Sequence, residues 1–238
     1  MKKLLLGLVA VALLPAPAQA QPVTPERPAA RPSYVRLDGV DVRLRDGTTQ
    51  VVTANHTSGY RARITWWVLR DGRWQQRMQA VDGRIGYGGL VLGRRRHQGT
   101  GTTPLGTYDL PSAFGTHAHG SGWEIAYRKI RRGDFWVEDN GSAYYNRYRN
   151  QRQGGFRWRL PVSDPNGSER LTDYPTQYEW SIVTSFNRQQ VRHRGAGIFL
   201  HVNGSGATAG CVSAPAWFMK ALMDRLDPVQ RPVIAIGR

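Results

Sequence analysis

The chain predicts a mainly β fold with one helix near its end. Three observations predict it: short segments rich in β-branched and aromatic residues, turn dipeptides between them, and a single stretch of helical periodicity. The first expected strand covers 34–44. The segment 61–69, RARITWWVL, alternates apolar with polar residues, as a strand with one buried face does. Segments 179–184 and 198–202 have the same β-branched and aromatic character. Turn signals lie at Asp71-Gly72, Asp82-Gly83, Pro165-Asn166-Gly167 and Asn203-Gly204. The helix is expected after Ser213 as N-cap, with Pro215 in its first turn and Phe218, Ala221, Leu222 and Leu226 as its apolar stripe. It should end near Asp227-Pro228, and 232–236 supplies a last strand.

The N-terminus reads as an export signal. Lys2 and Lys3 precede an apolar run from Leu4 to Leu14, and Ala18-Gln19-Ala20 has the small-residue spacing of a cleavage site. The run is well short of the roughly 20 apolar residues that span a bilayer, and no later segment approaches that length, so a protein that does not span the membrane is expected. Three parts follow: a signal peptide at 1–20, a proline-rich linker at 21–33, and one catalytic-sized domain at 34–238. Export to the periplasm, cell wall or medium is the expected destination. Removing Lys2 and Lys3 lowers the formal charge from +16 to +14, which favours an anionic partner such as a wall polymer. Export and the absence of any nucleic-acid motif among the scattered arginines argue against nucleic acid.

Chemistry concentrates in 198–215, IFLHVNGSGATAGCVSAP. A strand delivers His201, a glycine-rich loop follows, and Cys211, the sole cysteine, comes next. With no second cysteine the thiol forms no internal disulfide, so it is either a small buried hydrophobe or a reactive group. If the loop at 203–209 reverses the chain, thiol and imidazole meet on one face as nucleophile and base. An adjacent imidazole and a helix N-terminus would both favour the thiolate. Glycines at 204, 206 and 210 allow close approach, so the Gly210 and Cys211 N–H groups are candidate donors to an oxyanion. Acyl transfer is the reaction class this implies.

At these residues the sequence resembles the L,D-transpeptidase catalytic-domain (YkuD-like) family, through His201 and Thr208-Ala209-Gly210-Cys211. The resemblance extends to 101–108, GTTPLGTY, and to 134–146, DFWVEDNGSAYYN, the latter similar to one exported branch. It implies a β-sandwich with a short helix after the nucleophile. It further implies Cys211 as nucleophile, His201 as base, the Val202 backbone carbonyl as orienter of the imidazole and the Gly210 N–H in the oxyanion hole. Thr208, Ala209, Trp136 and Tyr145 are the candidate substrate contacts. The substrates implied are peptidoglycan stem peptides: Cys211 would form a thioester with a donor stem and pass it to an amine, or to water as an L,D-carboxypeptidase. No metal or organic cofactor is implied. The chain departs from the family pattern in its shorter His-to-Cys spacing, in Ala209 where histidine is frequent, and in Ser213 where arginine or asparagine is frequent.

Blander readings stand beside these. Trp136, Tyr144 and Tyr145 are aromatic residues of the kind that more often fill a core than line a groove. His117 and His119 lack a nearby ligand set for a metal. A sortase or wall endopeptidase would share the Cys–His logic, though Thr103-Pro104 and the Gly-Cys-helix order disfavour a sortase. A non-catalytic basic wall-binding module with a buried Cys211 is the alternative from another class.

Overall fold

The computed structural model describes residues 33–238, so the signal-peptide reading and the linker up to residue 32 lie outside the described residues. In chain order the strands are β1 Ser33–Leu37, β2 Val40–Leu44, β3 Gln50–Ser58, β4 Arg61–Arg70, β5 Arg73–Arg84, β6 Leu90–Leu92, β7 Thr103–Asp109 and β8 Ser112–Gly115. They continue with β9 Tyr127–Lys129, β10 Asp134–Trp136, β11 Tyr148–Asn150, β12 Glu169–Arg170, β13 Trp180–Val183, β14 Phe199–Val202, β15 Val212–Ala214 and, after helix α1 Ala216–Met223, β16 Val233–Gly237. The expected class, mainly β with one α-helix, is the one observed among the described residues.

Eleven strands form one mixed sheet in the order β6-β7-β16-β3-β4-β5-β15-β14-β13-β8-β9. Its two halves meet at a single residue pair, Arg84 of β5 with Ser213 of β15. Period-2 alternation explains how the halves pack. Ile64 and Trp66 of β4 and Ile234 of β16 share one buried cluster with Leu200 and Val202 of β14, Val212 of β15, and Phe218 and Leu222 of α1. Two halves of one sheet that bury residues in the same cluster form a sandwich, and each wholly buried Leu, Ile or Phe in it contributes about 1.5–3 kcal/mol.

The opposite face of β14 carries Phe199 and His201, and it meets a second cluster that holds Cys211, Trp136, Tyr145, Leu171 and Tyr178. Trp136 reaches that cluster from β10, the centre of a three-stranded sheet ordered β11-β10-β12. The β1–β2 hairpin packs Val40 and Val42 against Val51 of β3 and Val233 of β16. Among the described residues no helix is long and apolar enough to cross a membrane.

Three local expectations change. The stretch 34–44 is a hairpin, with Asp38 (φ +50°) and Gly39 (φ +79°) supplying the left-handed pair that a tight turn needs. Asp82-Gly83 is no turn but the end of β5, where a Cβ on Gly83 would stand 2.7 Å from the Ala62 carbonyl oxygen of the neighbouring strand. The helix starts later than the Ser213 cap implies: Pro215 is its N-cap, and Ser213 lies in β15 with its Oγ donating to Asn203 Oδ1 at 2.7 Å.

Candidate active site

His201 sits in β14 between Ser181 of β13 and Ser213 of β15. Cys211 directly precedes β15. The expected reversal of the chain at 203–209 is not a hairpin, because β14 and β15 are parallel and the loop returns the chain to the level where β14 began. Its course is pinned by backbone contacts that no local propensity encodes. Arg84 Nη1 donates to the Gly204 carbonyl at 2.5 Å and the Gly206 carbonyl at 3.2 Å, Asn203 Nδ2 donates to the Asp82 carbonyl at 2.6 Å, and Thr208 bridges to Gly86. His201 and Cys211 both open into one cavity of about 930 Å3.

The imidazole is fixed by its neighbour's backbone. His201 Nδ1 lies 2.7 Å from the Val202 carbonyl oxygen, which can only accept, so Nδ1 carries the proton and Nε2 keeps its lone pair. Burial holds the imidazole pKa down at about 4, outweighing the carbonyl, which raises it. The ring of Tyr178 stands edge-on to it at 5.5 Å.

The thiol makes no direct hydrogen bond to the imidazole. Cys211 Sγ donates to the Gly197 carbonyl at 3.1 Å and accepts from the Phe199 N–H at 3.4 Å. Burial, reinforced by Glu169, pushes the thiol pKa far up, against the opposing pull of the Phe199 N–H and Arg96. The resting pair is therefore neutral thiol and neutral imidazole. The expectation of a thiolate favoured by a helix N-terminus is corrected: β15 separates Cys211 from α1.

Threonines shape the loop before the nucleophile. Thr103 Oγ1, fully buried at the start of β7, accepts from the Gly86 N–H and donates to the Gly210 carbonyl, both at 2.8 Å. Thr208 Oγ1 donates to the Cys211 carbonyl at 2.6 Å and accepts from the Gly210 N–H at 3.1 Å. The Gly210 N–H is thus already engaged, which removes it as the expected free oxyanion donor. Gly210 itself has φ +134°, and a Cβ there would stand 2.7 Å from Arg96 Nη2 and 2.9 Å from the Thr102 carbonyl oxygen. Glycine is needed at that position.

A match over most of the chain decides the family: the L,D-transpeptidase catalytic domain is found over residues 50–234. The chain belongs to the L,D-transpeptidase catalytic-domain family. That family is one of cysteine-dependent transpeptidases that act on peptidoglycan. No curated protein matches the chain. The L,D-transpeptidase domain so defined runs from the start of β3 into β16, and the β1–β2 hairpin that packs on those two strands precedes it.

Among the expected substrate contacts, Thr208 and Ala209 line the cavity of this L,D-transpeptidase domain, while Trp136 and Tyr145 do not. Trp136 is core, packed on Phe114 and Phe199, with Nε1 donating to Asn146 Oδ1 at 2.8 Å. Tyr145 is wholly buried, its hydroxyl donating to Gln98 Oε1 at 2.7 Å and accepting from the Gly195 N–H at 2.9 Å. His117 bonds Glu179 at 2.8 Å and stacks on Trp180. Among the described residues no three His, Cys, Asp or Glu side chains gather as a metal would require.

Sequence reasoning missed four charged residues that line the cavity with Cys211: Arg96, Glu138, Asp164 and Glu169. Arg96 belongs to an arginine run that reads as solvated surface, and nothing local marks its third member as buried. Glu138 lies inside 134–146, but its side chain direction depends on how the three-stranded sheet docks.

Proposed function

We propose that the protein is an exported peptidoglycan L,D-transpeptidase in which Cys211 is the nucleophile and His201 the general base. One observation carries this reading: His201 of β14 and Cys211, just before the adjoining parallel β15, open into a single cavity, and the Val202 carbonyl leaves the imidazole lone pair at Nε2. When a donor stem enters, Cys211 Sγ attacks the carbonyl that joins an L-centre to the terminal D-residue, and its proton passes to Nε2. The tetrahedral oxyanion falls to the Cys211 N–H, since the Gly210 N–H is spent on Thr208. Collapse breaks the amide, the leaving amine takes the proton from Nε2, and a thioester remains on Cys211. An acceptor amine then attacks the thioester, giving up its proton to His201, and the C–S bond breaks as the cross-link forms, with His201 returning the proton to the departing Cys211 sulfur; water in place of the amine makes the enzyme an L,D-carboxypeptidase. The basic surface suits an anionic wall, and the leader at 1–20 suits the export such a substrate requires.

A carbapenem tests this, since its strained lactam carbonyl acylates the thiol of family members. Intact mass should show a one-to-one adduct on the wild type and none on Cys211→Ala. A folded wild type that takes no adduct, and whose thiol also resists small alkylating reagents, would leave a wall-binding module with a buried cysteine as the correct reading.

A further inference from the structure

Arg96 is an unusual residue to find beside a nucleophile, because it is only 5 % exposed and, among the described residues, no carboxylate lies within 4 Å of its guanidinium. The Phe186 ring, 5.5 Å from the guanidinium carbon, and the more distant carboxyl of Glu138 offset only part of the cost of burying this cation, so its persistence points to a partner that arrives from outside. Nε donates to the Thr102 carbonyl at 2.7 Å and Nη1 to the Arg194 carbonyl at 3.3 Å, which leaves Nη2, on the Gly210 side of Cys211, without a hydrogen bond among the described residues. Three carboxyls line the same cavity, those of Glu138, Asp164 and Glu169, and Asp164 Oδ1 is engaged by the Asn166 N–H at 2.8 Å. Glu138 Oε1 lies by Gly197, the residue whose carbonyl receives the thiol, and its carboxyl has no protein hydrogen bond among the described residues. Glu169 Oε1 accepts from the Tyr178 hydroxyl at 2.5 Å.

We propose that Arg96, Glu138 and Glu169 form a subsite beside Cys211 for an amino-acid headgroup, a carbon bearing both a free carboxylate and a free ammonium. The carboxylate pairs with Arg96 on the Gly210 side of the thiol, and the ammonium pairs with the two glutamates on the Gly197 side. A purely anionic ligand would meet Glu138 and Glu169, and a purely cationic one would meet Arg96; only a group with both signs satisfies the cavity. Burial is what most disfavours the charged carboxyls, and Glu169 further disfavours that of Glu138, so both sit well above the ordinary carboxylate range. An arriving ammonium opposes both by favouring the charged carboxylates. The subsite deepens the transpeptidase reading by naming what flanks the reacting carbonyl, and its test runs without turnover so that the two stand or fall separately.

The test is titration calorimetry on Cys211→Ala protein with three synthetic tripeptides that share the sequence L-Ala-D-Glu-X. In the first, X is diaminopimelate, whose side chain ends in an amino-acid headgroup; in the second, X is lysine, which keeps the ammonium alone; in the third, the distal carboxylate of diaminopimelate is amidated. The first should bind on the order of tenfold or more tighter than either of the others, the discrimination one charge-assisted contact supplies. Adding Arg96→Gln should erase the preference for the free carboxylate and keep tight binding of the ammonium. A tripeptide with X acetylated at the distal amine should bind weakly to Cys211→Ala, and Glu138→Gln with Glu169→Gln should erase that difference. If Arg96→Gln does not fold by circular dichroism, Arg96→Lys serves, because a point charge lacks the two-pronged fork and should lose most of the carboxylate preference. Free diaminopimelate binding as tightly as the tripeptide would assign the subsite to free amino acids, and weaker binding would assign it to stem side chains; each keeps the proposal. Equal affinity for all the tripeptides, or variants that weaken every probe alike, would overturn it. Discrimination by a protein whose wild type takes no carbapenem adduct would keep the subsite and remove the transpeptidase reading.

Discussion

The neutral imidazole of His201 makes a quantitative demand on stability. Folded, the ring accepts a proton only near pH 4, whereas its ordinary value is 6.5. Between those values the unfolded chain binds the additional proton, so the His201 contribution is fully present above pH 6.5 and is lost as the pH falls toward about 4. A gap of about 2.5 pH units at about 1.36 kcal/mol each amounts to about 3 kcal/mol, a large part of the roughly 5–15 kcal/mol that holds a domain folded. Glu138 and Glu169 act in the opposite sense: their raised values stabilise the fold as pH falls from above those values toward the ordinary carboxylate range. The wild-type curve alone therefore mixes the terms. His201→Asn separates them, because its amide nitrogen stands near the place of Nδ1 and keeps a donor for the Val202 carbonyl while nothing titrates. Urea unfolding of both proteins at a series of pH values, with equal slopes as the check on two-state behaviour, reads the difference. The wild type should lose its advantage over His201→Asn by about 3 kcal/mol between about pH 7 and pH 4. Curves that run parallel across that range would show that the imidazole is not held neutral, and the derivation of a free Nε2 base at neutral pH would fall with them.

Two further outcomes follow from the loop before the nucleophile. Gly210→Ala forces a side chain into a φ of +134° and within 3 Å of Arg96 and the Thr102 carbonyl, so it should destabilise the fold by about 1–3 kcal/mol in thermal or urea unfolding and slow carbapenem acylation more than tenfold. Thr103→Val leaves the Gly86 N–H and the Gly210 carbonyl without their shared hydroxyl in a fully buried place, at a cost of about 1–3 kcal/mol, and slower acylation by the still intact Cys211 would show that Gly210 is held from β7.

Much of the fold was legible because strand alternation is a local property. The segment 61–69 became β4, 179–184 became β13, 198–202 became β14 and 232–236 became β16, each within a residue or two. Asp71-Gly72 joined β4 to β5 as its turn chemistry requires. The strands that escaped reading, such as Gln50–Ser58 and Arg73–Arg84, carry polar residues whose pairing rests on neighbours far away in sequence. Likewise His201 and Cys211 were legible as a pair because one short segment holds both.

The sequence alone determined the strand-borne histidine, the glycine at 210 and the cysteine, since residue type and spacing over a dozen positions encode them. Tertiary structure decided everything that depends on which surfaces face one another. It made β14 and β15 parallel, engaged the Gly210 N–H with Thr208, and turned Trp136 and Tyr145 into core. It also buried Arg96 beside Gly210 and set Glu138 and Glu169 into the same cavity. Charge and burial of that kind arise when distant segments exclude water between them, and no local pattern records which segments those are.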